Sequence, residues 1–175
     1  MRDLTALMMS MFLVGCSGVS VVPPELKEKV DWNVSFLQVK ASPLSYQGKL
    51  IVTGGMVLSA KLLKQDGTRI EVLELPLDSD YEPVDRLTDS NGRFFAFHKE
   101  FLDPATIPIG THITVVGEVT GSVASPVGEA EYVYPTLDIK SLTVWTPRVP
   151  MYWGRPYPYF GGYWGPYWGP YWGPY

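Results

Sequence analysis

Between residues 32 and 147 no stretch of this chain sustains a helical hydrophobic period, because glycine, proline and Asp-Gly or Asn-Gly pairs keep breaking the pattern. What survives between the breaks alternates as strands do. His112 to Thr120 is the cleanest case: Ile113, Val115, Gly117 and Val119 fall on one face, and His112, Thr114, Glu118 and Thr120 on the other, with Val116 the exception. Thr68 to Leu75 begins the same way, with Ile70 and Val72 against Arg69 and Glu71. Its phase then shifts at Val72-Leu73, which predicts a bulge or a strongly bent strand. Val34–Lys40, Lys49–Leu63, Arg93–Phe101 and Tyr132–Trp145 complete the expected strands. Gln65-Asp66-Gly67-Thr68 and Asp89-Ser90-Asn91-Gly92 read as hairpin-type connections, and Gly54-Gly55 as a bulge or barrel corner. Five or six strands in one domain predict an all-β fold, a small OB-like β-barrel, with a β-sandwich as the alternative.

The ends are of different character. Residues 1–15 read as an export signal: Arg2, offset by Asp3, precedes an uncharged run from Leu4 to Val14 that is too short to span a bilayer. Residues 16–31 read as a tether, with Pro23-Pro24-Glu25 suited to open a short helical turn. The domain follows over residues 32–147. Residues 148–175 form a biased tail: twelve of the chain's 24 aromatic residues lie after Pro150, and no charge follows Arg155. From Tyr163 the tail repeats Tyr-Trp-Gly-Pro three times and ends on Tyr175. Proline and glycine at that spacing forbid helix and interrupt strand ladders, so the tail is expected to be disordered when alone. Trp164, Trp168 and Trp172 are its candidate contact residues, toward lipid head groups, peptidoglycan or another glycan, or an envelope protein.

Chemistry finds little footing. Cys16 is the single cysteine, so no internal disulfide is available. A formal net charge of −4 gives no basic footprint for nucleic acid and no electrostatic grip on anionic lipid. His98 and His112 alone do not make a metal site. Asp85, Asp89 and Asn91 before Gly92 lack the spacing of a calcium loop. Neither a Gly-x-Ser-x-Gly elbow nor a phosphate-binding glycine loop is present. The expectation is therefore no catalytic residues, no metal and no cofactor. Arg93 has two readings. It recognises an anion or a partner, or it braces a turn by pairing with an aspartate such as Asp89 or Asp103. Phe94, Phe95, Phe97 and Phe101 are expected as packing residues.

Leu13-Val14-Gly15-Cys16 is similar to a lipobox. That resemblance implies diacylation of the Cys16 thiol, cleavage before Cys16 and acylation of the new amine, a palmitate-type anchor at the membrane. A wider resemblance runs through Val22-Pro23, Pro43 to Gly48, Gly54-Gly55, Gly67 to Val72 and Leu75 to Asp78. It continues through Ser90 to Phe94, Phe101 to Pro104, Val115 to Gly117 and Tyr132 to Pro135. In that order the segments resemble the Slp family of outer-membrane lipoproteins, named for starvation-inducible members. The resemblance implies a lipid-anchored, non-enzymatic protein of the Gram-negative outer membrane with a structural or stress-related envelope role. Ser17 after the cysteine implies outer-membrane sorting. The alternative is a periplasm-facing module that binds glycan or another envelope component.

Overall fold

The computed structural model describes residues 20–64 and 67–146. Two short helices, α1 (Pro24–Lys27) and α2 (Phe36–Ala41), precede five strands: β1 (Leu50–Leu62), β2 (Thr68–Glu74), β3 (Gly92–His98), β4 (His112–Val127) and β5 (Ala130–Trp145). Single 3-10 turns lie at Pro43–Tyr46, Leu87–Asp89 and Pro104–Thr106.

The strands form one mixed sheet. β1 pairs antiparallel with both β2 and β4, β2 with β3, and β4 with β5. A parallel seam between β3 and β5 closes the ring in the order β1-β2-β3-β5-β4. The seam is short, only Phe95, Ala96 and Phe97 against Thr136, Leu137 and Asp138. Beyond it, residues 121–127 of β4 and 130–135 of β5 pair only with each other, and this outlying two-stranded ribbon is largely exposed.

The expectation of an all-β, OB-like barrel is corrected on these grounds. The domain is a mixed sheet joined by a three-pair parallel seam, extended by a ribbon and packed with helix. Residues 34–40, expected as a strand, are mostly helix α2. Ser35 and Gln38 cap it reciprocally: the Ser35 hydroxyl accepts from the Gln38 amide, and the Ser35 amide donates to Gln38 Oε1 at 2.8 Å. Phe36 and Val39, three residues apart on one helix face, enter the core.

The interior is filled. Ile51, Val57, Ile70, Val72, Phe94, Ala96, Ile113, Val115, Val119 and Leu137 point inward along the alternating faces. Phe36 and Val39 of α2 close one end, Phe36 lying 5.5 Å from Phe94 between ring centroids. Ile107 and Leu102, from the connection between β3 and β4, close the other. The β2 alternation is regular, without the phase shift expected at Val72-Leu73; the ladder shift lies opposite, on β1 between Val57 and Ser59. The expected Gly54-Gly55 bulge is instead a close approach of strands. A Cβ on Gly55, at φ 155°, would stand 1.9 Å from the Leu73 carbonyl oxygen. Nor is Asp89 to Gly92 a hairpin; it ends the long β2–β3 connection, residues 75–91.

Buried Glu74 sits among these packed groups, beside Gly92 in the β3 register. Its carboxylate accepts from the Asn91 amide at 3.1 Å, and Lys40 donates to the Asn91 carbonyl at 2.5 Å. Burial pushes the Glu74 carboxyl above its ordinary range, against the pull of Asn91 and Lys40.

Candidate functional site

Because the interior is filled, any site must lie on the outside. Hollows follow the outer face of β1 and β4. Val22 and Val30, with Leu26, pack there on Leu50, Val52 and Val116, and Val30 bridges to Leu50. This fixes the following segment, Asp31 to Val34, along the wall. From the other side comes the β2–β3 connection. The Asp78 carboxylate accepts from the amides of Asp80 and Glu82, each at 2.9 Å, a local turn that sequence of this kind favours.

That turn holds Tyr81 at φ 64°, the one described non-glycine residue in the left-handed region. The Tyr81 carbonyl accepts from Thr114 Oγ1 at 2.6 Å, and Thr114 Oγ1 in turn accepts from Trp145 Nε1 at 2.9 Å. The chain reversal thereby places the Tyr81 ring 6.0 Å from that of Trp32. Trp32 is 49% exposed, with its Nε1 donating to the Lys27 carbonyl at 3.2 Å.

Three hollows meet around this pair. One of about 230 Å³ contains both rings, with Val34, Val52 and Leu77. It shares Val30, Asp31 and Trp32 with a hollow of about 630 Å³ edged by Lys29, Lys49, Glu118 and Lys140. It shares Asp78 with another of about 440 Å³, which Glu82, Asp85, His112 and Trp145 line. Together they make a groove from α1 to the end of β5. Its charges are largely paired: Lys49 with Asp31 at 3.0 Å, Lys140 with Glu118 at 2.9 Å. The hydrogen bond from Lys49 holds the Asp31 carboxyl below its ordinary range, helped by the Asn33 amide. Such exposed pairs add little stability but supply donors and acceptors along the groove. An aromatic floor flanked by both kinds of polar group suits a polar, ring-containing ligand.

Arg93 lies elsewhere, on the outer face of β3. Its guanidinium meets Glu71 Oε1 at 3.0 Å, and the same oxygen accepts from the Tyr134 hydroxyl at 3.0 Å. Burial works against the Arg93 charge, but Glu71 and Tyr134 hold its pKa above the ordinary value. The aspartates named from sequence are occupied otherwise: Asp89 pairs with Arg86 at 2.9 Å, and Asp103 accepts from the Ala105 amide. Phe95 stacks on Tyr134 at 4.1 Å and carries Arg69 on its ring at 4.6 Å. Phe94 packs inside, whereas Phe101 is exposed, against the expectation that it packs. The two histidines are held apart: His98 Nδ1 lies 3.0 Å from the Glu100 carbonyl, and His112 Nε2 3.8 Å from Asp85. Among the described residues no three His, Cys, Asp or Glu gather as metal ligands. Cys16, Trp164, Trp168 and Trp172 lie outside the described residues. Trp32 and Tyr81 were not legible as a pair, since they are far apart in sequence; the Asp78-Ser79-Asp80 turn before Tyr81 was the available signal.

The core of the domain is filled, and its hollows lie on the outside. The comparisons place it. Residues 13–174 match the pattern of the outer membrane lipoprotein Slp family, a span that takes in both Cys16 and the aromatic tail. The chain is 31% identical over 160 residues to an uncharacterized lipoprotein, YeaY, of Escherichia coli strain K12, covering 85% of this chain and 81% of that one. It is 29% identical over 136 residues to an uncharacterized protein of Haemophilus influenzae, covering 77% and 70%. The chain belongs to the outer membrane lipoprotein Slp family. It is therefore an outer-membrane lipoprotein with a role in the envelope, and no solved structure matches it.

Proposed function

We propose that this protein is a lipid-anchored, periplasm-facing module that binds an envelope component, of the glycan class, in the Trp32–Tyr81 groove. Acyl chains on Cys16 hold the domain at the outer membrane; more than one chain on that residue makes the attachment stable. The observation that carries the binding reading is Tyr81. A tyrosine in the left-handed region costs about 1–3 kcal/mol, and such strain collects where a side chain must be aimed. Here it is aimed at Trp32, whose ring is half exposed, with lysines and carboxylates on both sides.

The test is pelleting with purified peptidoglycan, together with a glycan array, using the mature chain. Trp32→Ala and Tyr81→Ala are expected to weaken binding at least tenfold while the fold persists by circular dichroism. Undiminished binding in both variants would sink the groove reading. Cys16→Ser is expected to move the protein from the membrane to the soluble fraction, and retention in the membrane would refute acylation at that residue. Tail contact through Trp164, Trp168 and Trp172 is part of the proposal, read by removing residues after Pro147 in the same pelleting assay. The stress-related role implied by the family resemblance is tested by following protein level through the onset of stationary phase.

A further inference from the structure

The groove lies on the outer wall of the sheet, and a set of exposed apolar side chains lies at one end of the domain. β1, β3 and β5 finish there, and β2 and β4 begin there. Leu62 and Leu63, at the tip after β1, are 51% and 39% exposed, and Phe101 and Ile109, in the β3–β4 connection, are 72% and 76% exposed. The connection is held against this end. Thr68 Oγ1 donates to the Leu102 carbonyl at 2.8 Å, the Gly110 amide donates to the Val57 carbonyl at 2.9 Å, and Ile107 is driven into the core. Phe101 and Ile109 therefore flank anchored residues, on backbone that is fixed rather than loose.

We propose that this end of the domain rests on a phospholipid surface, with Phe101 and Ile109 as its deepest side chains. Three observations name the occupant. The protein belongs to an outer-membrane lipoprotein family, so a bilayer is the surface it lives beside. Only residues 17–19 separate Cys16 from the first described residue, Ser20. Such a segment spans about 14 Å at most, so a domain acylated at Cys16 stays beside the bilayer; the segment leaves from the outer wall near Val22 and does not itself select the end. Finally, β5 ends at Trp145 on this same end, and the chain leaves there into a tail rich in Trp and Tyr, the residues that favour membrane–water interfaces. With a net charge of −4, the contact is apolar rather than electrostatic, and it is expected to survive salt. The tether argument rests on the acylation reading above; the contact itself does not need it.

The test separates the two by using the mature chain begun at Ser17, which carries no acyl group. Flotation with vesicles of phosphatidylethanolamine and phosphatidylglycerol is expected to carry a measurable fraction upward, little changed between low and high salt. Phe101→Ser with Ile109→Ser should reduce that fraction at least tenfold, with an unchanged melting temperature. Leu37→Ser with Leu44→Ser, on α2 and its neighbouring turn at the opposite end, should not. Absence of flotation overturns the proposal, as does equal flotation of wild type and the Phe101/Ile109 variant, or equal loss in the Leu37/Leu44 control. Removal of the tail after Pro147 should leave residual flotation that still depends on Phe101. If all flotation goes with the tail, the tail and not this end of the domain is the lipid contact. If flotation fails while Cys16→Ser still releases the protein in cells, the anchor stands alone.

Discussion

Tyr81 and Glu74 show how single residues carry unfavourable terms that the rest of the domain absorbs. At φ 64°, Tyr81 pays for its placement in backbone strain, and glycine relieves that strain where alanine does not. Tyr81→Gly is therefore expected to be more stable than Tyr81→Ala by about 1 kcal/mol, although both remove the ring; urea unfolding of the two variants measures the difference. Glu74 is a titration prediction. Burial raises its carboxyl in the folded state, so between glutamate's ordinary range and the raised value the folded protein holds more protons than the unfolded one. Stability then falls as the pH rises through that window, and Glu74→Gln removes this fall, as a series of unfolding curves from about pH 4 to pH 7 would show. Neither residue was legible in sequence. Glu74 looks like an ordinary strand carboxylate, and Tyr81 an ordinary loop aromatic, until distant segments are packed on them.

At the scale of elements, legibility followed the clarity of the hydrophobic period. His112 to Thr120 alternates, and β4 contains it; Lys49–Leu63 and Tyr132–Trp145 likewise hold β1 and most of β5. α2 was misread because Val34, Phe36 and Gln38 mimic strand alternation over a segment too short to show a second helical turn. The decisive signal was local: Ser35 and Gln38 at capping-box spacing, with Phe36 and Val39 three apart. Helix α2 closes one end of the core. Phe36→Ala is expected to cost about 3–5 kcal/mol, and Ser35→Ala about 1 kcal/mol, measured by denaturant unfolding. If Phe36→Ala cost no more than Ser35→Ala, the helix would not be part of the core. The parallel β3–β5 seam had no sequence signature, because strands so far apart in the chain choose each other through the packing of everything between them.

For the whole molecule, the external groove and the membrane-facing end divide the surface between two tasks, and the sequence pointed to neither surface. It did point to the two termini, whose chemistry is compositional and needs no fold to be read. The remaining exposed structure is the ribbon of residues 121–135. The backbones of its two strands ladder only with each other, while Tyr132 accepts from the Arg93 amide and Tyr134 reaches Glu71, so the open line of amides and carbonyls runs along the outer edge of β4. A protein confined to a membrane meets its own copies by diffusion in a plane, where a modest number of molecules is already a dense population. The ribbon is where those encounters would turn into sheet-to-sheet growth, and Pro126 and Glu131, facing each other across it, are placed to frustrate that growth. Replacing both with threonine is expected to leave the fold intact yet make concentrated protein associate, as light scattering would report. Selection on this stretch then concerns what the protein must not bind: itself.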